Sequence, residues 1–356
     1  MAKLRLVTSK PADVVAEALV VTFSTEKDGN LAVPGTGLSS THRKKLIDDL
    51  RTVGARGKSG EVFSLSAPPS FRAGYVVAVG IGTPDTGAPG EQIRQGIANG
   101  IRSCVGRGKV AVLPPDSSPA TIENVALGAR LAAYSFDTFK SESEKPTRSI
   151  SVLASSSSAT ARSCLTRAQT IGDAVCLARD LINTPPNALA PEDLVAAARS
   201  AIADLNVRVK VWDERALRSA GCGGILGVGQ GSARPPRLVR LAYTPRGASR
   251  HLALVGKGIT FDTGGISIKP AAAMDEMKAD MSGAAAVIGA VTAIAQLKLP
   301  VKVTGWIPTA ENMPSGTAQR PGDVLRTYSG KTVEVLNTDR SEEHTSELQS
   351  QFRISY

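Results

Sequence analysis

Residues 256–280 place charged side chains among glycines directly after an apolar run. Lys257 ends that run, Asp262 precedes two glycines, and Asp280 stands just before a helical pattern, with Lys269 between them. Carboxylates are ligands that Mn²⁺, Mg²⁺ and Zn²⁺ accept. A lysine can join them only as a neutral amine, because a nearby metal ion displaces its proton. The segment therefore indicates a divalent-metal site.

Two other interpretations of the same segment stay open from the residues alone. A glycine-rich loop that carries Lys and Asp is also typical of a surface turn, and some such loops bind phosphate without metal. The segment contains neither the P-loop pattern nor GxGxxG, so a nucleotide site lacks its usual sequence support. The chain also lacks HExxH, which leaves a zincin-type protease unsupported.

The elements of the first half alternate between strand-like runs and helical patterns, which is typical of an α/β domain. The predicted strands are 17–25, 75–82, 109–114 and 150–155, and the predicted helices are 91–104 and 121–136. A long helix is expected from about Ala161 to about Ile182. Only 4% of the chain is aromatic, so the cores must consist mainly of Val, Leu, Ile and Ala.

The second half is also predicted to be α/β, and it contains the charged segment. The predicted strands are 207–212, 237–244, 251–257, 301–308 and 331–337, and the predicted helices are 191–205 and 283–298. Ser282 is a suitable N-cap for the later helix. Ligands of open α/β sheets gather beyond the carboxyl ends of strands. We therefore expect Lys257 and residues 337–339 at one edge of a sheet.

Composition favours a folded protein of about two domains, with 42% hydrophobic and 21% charged residues. The net charge of +10 can attract nucleic acid, but the basic residues are scattered and not interleaved with aromatics. The four cysteines form no CxxC pair, which indicates free thiols in a reducing compartment. Residues 283–295 predict a buried helix rather than a membrane span. We expect a cytoplasmic protein.

Four stretches resemble the leucyl aminopeptidase family of cytosolic dinuclear metallopeptidases, in the order expected for that family. They are NTPPNALAPEDL (183–194), VGQGSARPPRLVRLAY (228–243), VGKGITFDTGGISIKPAAAMDEMKADMSGAAAV (255–287) and PTAENMPSGTAQRPGDVLRTYSGKTVEVLNTD (308–339). The resemblance implies a smaller α/β domain over 1–156, a linker helix over 157–182 and a catalytic metallopeptidase domain over 183–339. The sheet of the catalytic domain is expected to be mixed and mostly parallel.

The resemblance also implies a ligand set for two divalent ions, Mn²⁺ or Zn²⁺. Lys257, Asp262, Asp280 and Asp339 match metal ligands of the family, and Asp262 matches the ligand that bridges both ions. Lys257 and Asp280 would hold the more loosely bound ion, with Asp339 contributing to the other.

Three further residues match positions with other roles in the family. Lys269 matches the catalytic lysine, whose ammonium stabilises the oxyanion that forms on the peptide carbonyl. Met277 and Asn337 match positions that line the substrate side of the site. Without the resemblance, Met277 would be interpreted as a core residue and Asn337 as a turn residue at the end of a strand.

The sequence departs from the family pattern directly after Asp339. Where the family continues Asn-Thr-Asp-Ala-Glu-Gly-Arg, this chain has Ser341 for the bridging glutamate and Glu343 for the arginine that holds bicarbonate. A hydroxyl cannot replace a bridging carboxylate, and a carboxylate repels an anion. We therefore expect an incomplete catalytic domain, a fragment with impaired activity and no bicarbonate site. Residues 340–356 are interpreted as a foreign tail, a natural divergent terminus being the alternative.

The sequence thus predicts a metal-dependent aminopeptidase that releases N-terminal residues from peptides, with leucine-type preference. The alternative, from a different class, is a basic nucleic-acid-binding protein without catalysis, whose affinity would fall steeply with salt. We expect peptide substrates, and neither membrane nor nucleic acid as partner. The resemblance implies a homo-hexamer for the family, which we do not extend to this chain.

Overall fold

The computed structural model describes residues 2–26, 28–83 and 89–339. The chain forms two compact units, Met1–Cys176 and Leu177–Tyr356. The division lies within a long helix, Ala159–Asn183, that covers most of the predicted linker. Both units combine helices with a sheet, which confirms the predicted α/β class. The predicted tail, 340–356, lies outside the described residues.

The first unit is built on a sheet of seven strands with a parallel centre. Its strands are β1 (Lys3–Val7), β2 (Ala18–Thr25), β3 (Leu31–Ala32), β4 (Val62–Ser66), β5 (Tyr75–Gly80), β6 (Lys109–Leu113) and β7 (Ser149–Leu153). Its helices are α1 (Ser40–Thr52), α2 (Pro89–Arg102) and α3 (Pro119–Ala132), followed by the long helix α4 (Ala159–Asn183). The spatial order is β1-β7-β6-β2-β5-β4, with β3 paired to β2. Strands β1, β7, β6, β2 and β5 run parallel, whereas β3 and β4 are antiparallel to their partners.

Strand β2 shows why this sheet needs helices on both faces. Successive side chains of a strand point to opposite faces, and almost every residue of β2 is buried. Val20 packs in a cluster with Ile97 of α2 and Val125 of α3. Phe23 packs in a second cluster with Leu46 of α1. A continuous apolar run is the pattern expected for a parallel strand that is covered on both sides.

The second unit contains a five-stranded mixed sheet and a separate hairpin. Its strands are β8 (Val207–Trp212), β9 (Arg237–Tyr243), β10 (His251–Val255), β11 (Gly258–Asp262), β12 (Lys302–Asn312), β13 (Val324–Arg326) and β14 (Thr332–Glu334). Its helices are α5 (Pro191–Ala201), α6 (Glu214–Ser219), α7 (Gly223–Gly229) and α8 (Ser282–Gln296), with a 3-10 segment at Met274–Met281 before α8. The sheet order is β10-β12-β9-β8. Strands β10 and β11 both run parallel to β12, while β9 is antiparallel to β12 and to β8.

Helices α5 and α8 cover one face of this sheet. Ala285 and Ile288 of α8 are fully buried there with Leu241 of β9. By length and composition alone, Met274–Gln296 is one helical stretch apolar enough to cross a membrane, with a mean hydropathy of 1.3. Half of its most apolar 18-residue window is buried, as in a core helix of a soluble protein. The stretch is therefore weak evidence for a membrane span, and the predicted burial of 283–295 is confirmed.

Three predicted features of the second unit were wrong. The strand expected at 251–257 ends at Val255, and the supposed loop after it contains a further strand, β11. The strand expected at 331–337 is shortened to β14, which pairs only with β13 and lies outside the main sheet. Ser282 does not cap α8, because its hydroxyl donates to the carbonyl of Ala279 instead.

Candidate metal and catalytic site

The parallel end of the second sheet brings the charged segment to one place. Strand β10 lies beside residues 302–306 of β12, and β11 lies beside the end of the same strand, with Asp262 paired to Asn312. Lys257 lies in the short turn between β10 and β11. The turn packs against the start of α8, since a Cβ on Gly256 would clash with the Gly283 carbonyl oxygen. The backbone of Lys257 is fixed there by the N–H of Ala284, which donates to its carbonyl at 2.9 Å.

Lys257 and Asp280 form an ion pair at this edge. The Lys257 Nζ lies 2.9 Å from Asp280 Oδ1. Burial raises the pKa of the Asp280 carboxyl, the negative charge of Asp262 raises it further, and Lys257 opposes both. Asp280 Oδ2 is buried without a hydrogen bond from any of the described residues. The carboxylate therefore has one compensated oxygen and one that lacks a positive or donor partner.

Asp262 is the most deeply buried carboxylate of the cluster, at 4% exposure. Its Oδ1 accepts hydrogen bonds from the backbone N–H of Gly264 at 2.9 Å and from Asn312 Nδ2 at 2.8 Å. Its Oδ2 faces the ammonium of Lys269 at 3.9 Å. Neutral donors thus fix Oδ1, whereas Oδ2 points toward the positive charge of Lys269.

Asp339 reaches the cluster on a loop held by its neighbour Thr338. The Thr338 hydroxyl accepts the N–H of Ser267 at 2.8 Å and donates to the Gly264 carbonyl at 2.5 Å. The Thr338 N–H donates to Ser267 Oγ at 3.1 Å. Asp339 then contacts the ammonium of Lys269 through its Oδ1. These hydrogen bonds join residues 264–267 to Thr338, next to the point where Asp262 and Asp339 both face Lys269.

Two glycines make this approach possible. Gly264 and Gly265 have φ values of 87° and 67°, in the left-handed region that favours glycine. A Cβ on Gly265 would lie 2.7 Å from Asn312 Oδ1, and one on Gly264 would lie 3.0 Å from Asp339 Cγ. The glycines predicted to let backbone approach a ligand therefore also let the backbone approach the polar side chains of the cluster.

Comparisons with known proteins match both units to one family. Residues 176–342 match the cytosol aminopeptidase family, catalytic domain, and residues 20–143 match the N-terminal domain of the same family. A "Probable cytosol aminopeptidase" of Micrococcus luteus is 47% identical over 336 residues, covering 92% of this chain and 66% of that protein. One from Streptomyces avermitilis is 46% identical, covering 95% of this chain and 70% of that protein.

The chain belongs to the cytosol aminopeptidase family. The resemblance predicted from the motifs is confirmed. The chain spans about two thirds of the length of these relatives, between 66% and 70%.

Solved structures of other proteins share this fold. One is described as "Bottromycin maturation enzyme BotP in complex with Mn", with a TM-score of 0.76, 31% identity and coverage of 91% of this chain and 66% of that one. A tomato leucine aminopeptidase mutant gives a TM-score of 0.79 at 24% identity, covering 95% of this chain and 68% of that one. The tomato protein supports the fold alone.

The two predicted substrate-lining residues, Met277 and Asn337, differ in burial and contacts. Met277 is half-buried on the 3-10 segment that carries Asp280. Asn337 is exposed, and its Oδ1 accepts the N–H of Asp339 at 2.7 Å. Asn337 therefore shapes the turn that presents Asp339, which agrees with the local interpretation of this residue. Its match to a substrate-lining position remains a prediction, as does that of Met277.

Asn312 and Thr338 were not singled out from the sequence, although they organise the cluster. Asn312 Nδ2 donates both to Asp262 and, at 3.1 Å, to the carbonyl of Thr338. Asn312 is 6% exposed and Thr338 is 8% exposed, so both are buried polar groups with partners. A signal was present in β12, which ends in the polar run Glu311-Asn312 after alternating apolar residues. A buried amide at the carboxyl end of a strand lies where ligand sites of open α/β sheets are found.

The cluster as a whole carries more negative than positive charge. Within the described ranges, no three Asp, Glu, His or Cys side chains converge closely enough to hold a metal ion by themselves. The carboxylates are instead joined through the two lysines, Lys257 to Asp280 and Lys269 to both Asp262 and Asp339. The three carboxylates of the cluster exceed its two ammonium groups by one charge. The oxygen without a hydrogen-bond partner among the described residues, Asp280 Oδ2, lies where positive charge is lacking. This donor set fits a divalent cation.

Proposed function

We propose that this chain carries the metal and catalytic site of an aminopeptidase that removes N-terminal residues from peptides. The observation that carries the proposal is the cluster itself, in which three carboxylates and two lysines from separate segments meet at the carboxyl ends of β11 and β12. A buried group of this kind is costly unless cations compensate it. The family membership of the chain supports the same activity.

Lys257, Asp262, Asp280 and Asp339 would hold two divalent ions, Mn²⁺ or Zn²⁺. Ions held there would polarise the peptide carbonyl and activate water at neutral pH. Lys257 would have to lose its proton to act as a ligand, so binding of the ions would release protons. The mention of Mn in a related structure supports a divalent ion, and the donor chemistry admits both metals. We propose no bicarbonate, since Glu343 stands where the family has its arginine.

Lys269 would stabilise the reaction through its ammonium. Its charge is shared between Asp262 and Asp339, and its side chain is 18% exposed, so it borders both the cluster and solvent. With the carboxylates neutralised by cations, its ammonium would donate hydrogen bonds to the carbonyl oxygen of the substrate as negative charge develops there. Its backbone is anchored independently, because the Lys269 N–H donates to the Thr263 carbonyl at 2.9 Å.

The test is hydrolysis of leucine amide by the purified chain with Mn²⁺. Lys269→Met should lower kcat by about a hundredfold or more, the usual loss when one oxyanion donor is removed. Lys331→Met, in the exposed hairpin loop, is the matched control and should leave kcat unchanged. Equal and measurable turnover by the two variants would exclude the role proposed for Lys269.

The activity of the unmodified chain is proposed to be impaired. Ser341 lies outside the described residues, so this proposal stands on the sequence alone. Ser341→Glu should raise the turnover of leucine amide if the missing carboxylate is what limits the rate. Ser341→Gln, which has the same shape without the charge, should not raise it.

The nucleic-acid alternative is not favoured, because the chain matches both family domains over most of its length. We also propose a cytoplasmic location, supported by relatives named cytosol aminopeptidases. Cell fractionation tests the location, and recovery of the protein in the membrane pellet would contradict it.

A further inference from the structure

The first unit contains a crevice at the carboxyl ends of its parallel strands. The cavity has a volume of about 220 Å³ and is lined by the loops that follow β1, β6 and β7 and by the loop before α1. Strand β2 has β5 on one side and β6 on the other. The order in which the chain adds strands to the sheet therefore reverses beside β2. Ligands of open parallel sheets bind in crevices at such a reversal.

The walls of the crevice are held in place by contacts of their own. The Arg43 side chain donates to the Gly35 carbonyl at 2.6 Å and also to the carbonyl of Val33, which fixes the loop before α1. The hydroxyls of Thr36 and Ser117 lie 3.2 Å apart and connect this loop to the one after β6. Because the walls are already ordered, a ligand would bind with little additional loss of conformational freedom.

The crevice has an apolar floor and a polar rim. Leu113 and Leu153, at the ends of β6 and β7, are buried in the floor. Ser9 and Lys10 lie on the rim. Among residues 2–26, 28–83 and 89–339, no carboxylate forms an ion pair with Lys10. Its ammonium is therefore available to an anionic ligand beside a surface that suits a small apolar group.

One acidic residue, Asp116, also lines the crevice. Its carboxylate is engaged locally, because it accepts the Ser118 N–H at 2.7 Å and the Thr121 hydroxyl at 2.9 Å. An anion in the crevice should therefore sit toward Lys10 and away from Asp116. This asymmetry predicts opposite effects when each of the two charges is removed.

We propose that this crevice binds a small phosphate monoester, with the phosphate on Lys10 and the neighbouring hydroxyls and the organic group on Leu113 and Leu153. A lysine binds phosphate as a point charge, and hydroxyls supply directed donors. The cavity is smaller than the roughly 300–1,000 Å³ of sites for drug-sized ligands, which limits the organic group to about one ring. This site is independent of the aminopeptidase proposal.

The experiment is calorimetric titration of the purified full chain with phenyl phosphate. The wild-type protein should bind one equivalent, and Lys10→Gln should weaken binding about tenfold, as expected for the loss of one charge-assisted contact. Lys3→Gln, at the opposite end of β1, is the matched control and should bind like the wild type. Asp116→Asn, which keeps an acceptor for Ser118, should bind several-fold more tightly.

Four results would overturn the proposal. The first is the absence of saturable binding at millimolar phenyl phosphate. The second is equal weakening by the Lys10 and Lys3 substitutions, which would show a nonspecific effect of charge. The third is equally tight binding of phenol, which would show an apolar pocket that does not recognise phosphate. The fourth is normal binding by Lys10→Gln. Melting curves of each variant separate a lost contact from a lost fold.

Discussion

The two units use the same α/β construction but place different chemistry at the carboxyl ends of their strands. In the first unit, β6 and β7 end in the buried apolar residues Leu113 and Leu153, and polar groups appear only in the loops beyond. In the second unit, β11 and β12 end in Asp262 and Asn312, both buried. Burial of charge is unfavourable without compensation. The second unit therefore has buried polar side chains at strand ends where the first unit has buried leucines.

Buried ion pairs of the two units differ in the same way. In the first unit, Arg130 is fully buried and its Nε donates to Asp173 Oδ1 at 2.6 Å. In the second unit, the ammonium of Lys269 faces two carboxylates, Asp262 and Asp339. The first arrangement joins a buried guanidinium to a partly exposed carboxylate and supports the fold. The second sets one ammonium against two carboxylates, and this charge balance underlies the proposed cation site.

Removal of Arg130 should produce the largest loss of stability. Arg130→Ala would remove both the ion pair and a tightly packed side chain, since a Cβ on Gly172 would lie 2.5 Å from Arg130 Cγ. We expect the free energy of unfolding of the first unit to fall by about 3 kcal/mol. Arg167→Ala, which breaks an exposed pair with Glu123, should cost only about 0.5 kcal/mol. Equal losses in urea unfolding would show that burial of Arg130 adds nothing.

The thiol of Cys104 reports how closed the first core is. Burial raises the pKa of Cys104 to about 11. At pH 8 its thiolate is therefore about a hundredfold rarer than that of an ordinary thiol, and iodoacetamide should label it only after unfolding. The half-buried Cys222 of the second unit should react first. Mass spectrometry that finds Cys104 labelled at the rate of Cys222 in folded protein would contradict the closed core.

The same shift has a consequence for stability at alkaline pH. The thiol ionises more easily once unfolded, where its pKa returns toward 9. The free energy of unfolding should therefore be unaffected by Cys104 below about pH 9 and should fall as the pH rises from there to about 11. In Cys104→Ala this part of the alkaline loss should be absent, and its persistence would assign the loss to other groups.

Two glycines allow a smaller and more local comparison. Gly265 at the site and Gly29 in the first unit both have positive φ, 67° and 83°, but only Gly265 lies against another group. Gly29→Ala should cost about 1 kcal/mol through backbone strain alone. Gly265→Ala should cost about 1 kcal/mol more, because its Cβ would displace the side chain of Asn312. Equal melting temperatures would show that the site tolerates the extra atom.

Much of the fold was predictable because its signals are local. The buried runs of β2 and β12 and the apolar pattern of α8 specify these elements from their own residues. Strand β11 was missed because only three strand-forming residues, 259–261, stand between a glycine and Asp262 in a glycine-rich segment. Its pairing with β12 holds this short run as a strand. Strand β14 was predicted to be longer than it is. Its residues are exposed, so the apolar pattern of 331–337 does not correspond to a buried face that would fix the ends of the strand.

The site was predictable in its charged members and not in its connections. Lys257, Asp262 and Asp280 stand close together in the sequence, so their residue types and spacing are enough to indicate a cluster. Asn312 and Thr338 act through contacts with residues far away in the chain, at separations of 50 and 71 positions. No pattern within a short window can show such contacts. The parallel pairing of β11 and β12 brings Asn312 to Asp262, and the segment after β14 brings Thr338 to residues 264–267.

The most direct test of the account is calorimetric titration of Mn²⁺ into metal-free wild-type protein, Asp262→Asn and Asp275→Asn. Asp275 is exposed on the same 3-10 segment as Asp280 and is the control for general loss of negative charge. The account predicts saturable binding to the wild type with release of protons. It also predicts a loss of affinity of about a hundredfold in Asp262→Asn and no loss in Asp275→Asn. Unchanged affinity in Asp262→Asn would contradict the claim that this cluster binds metal.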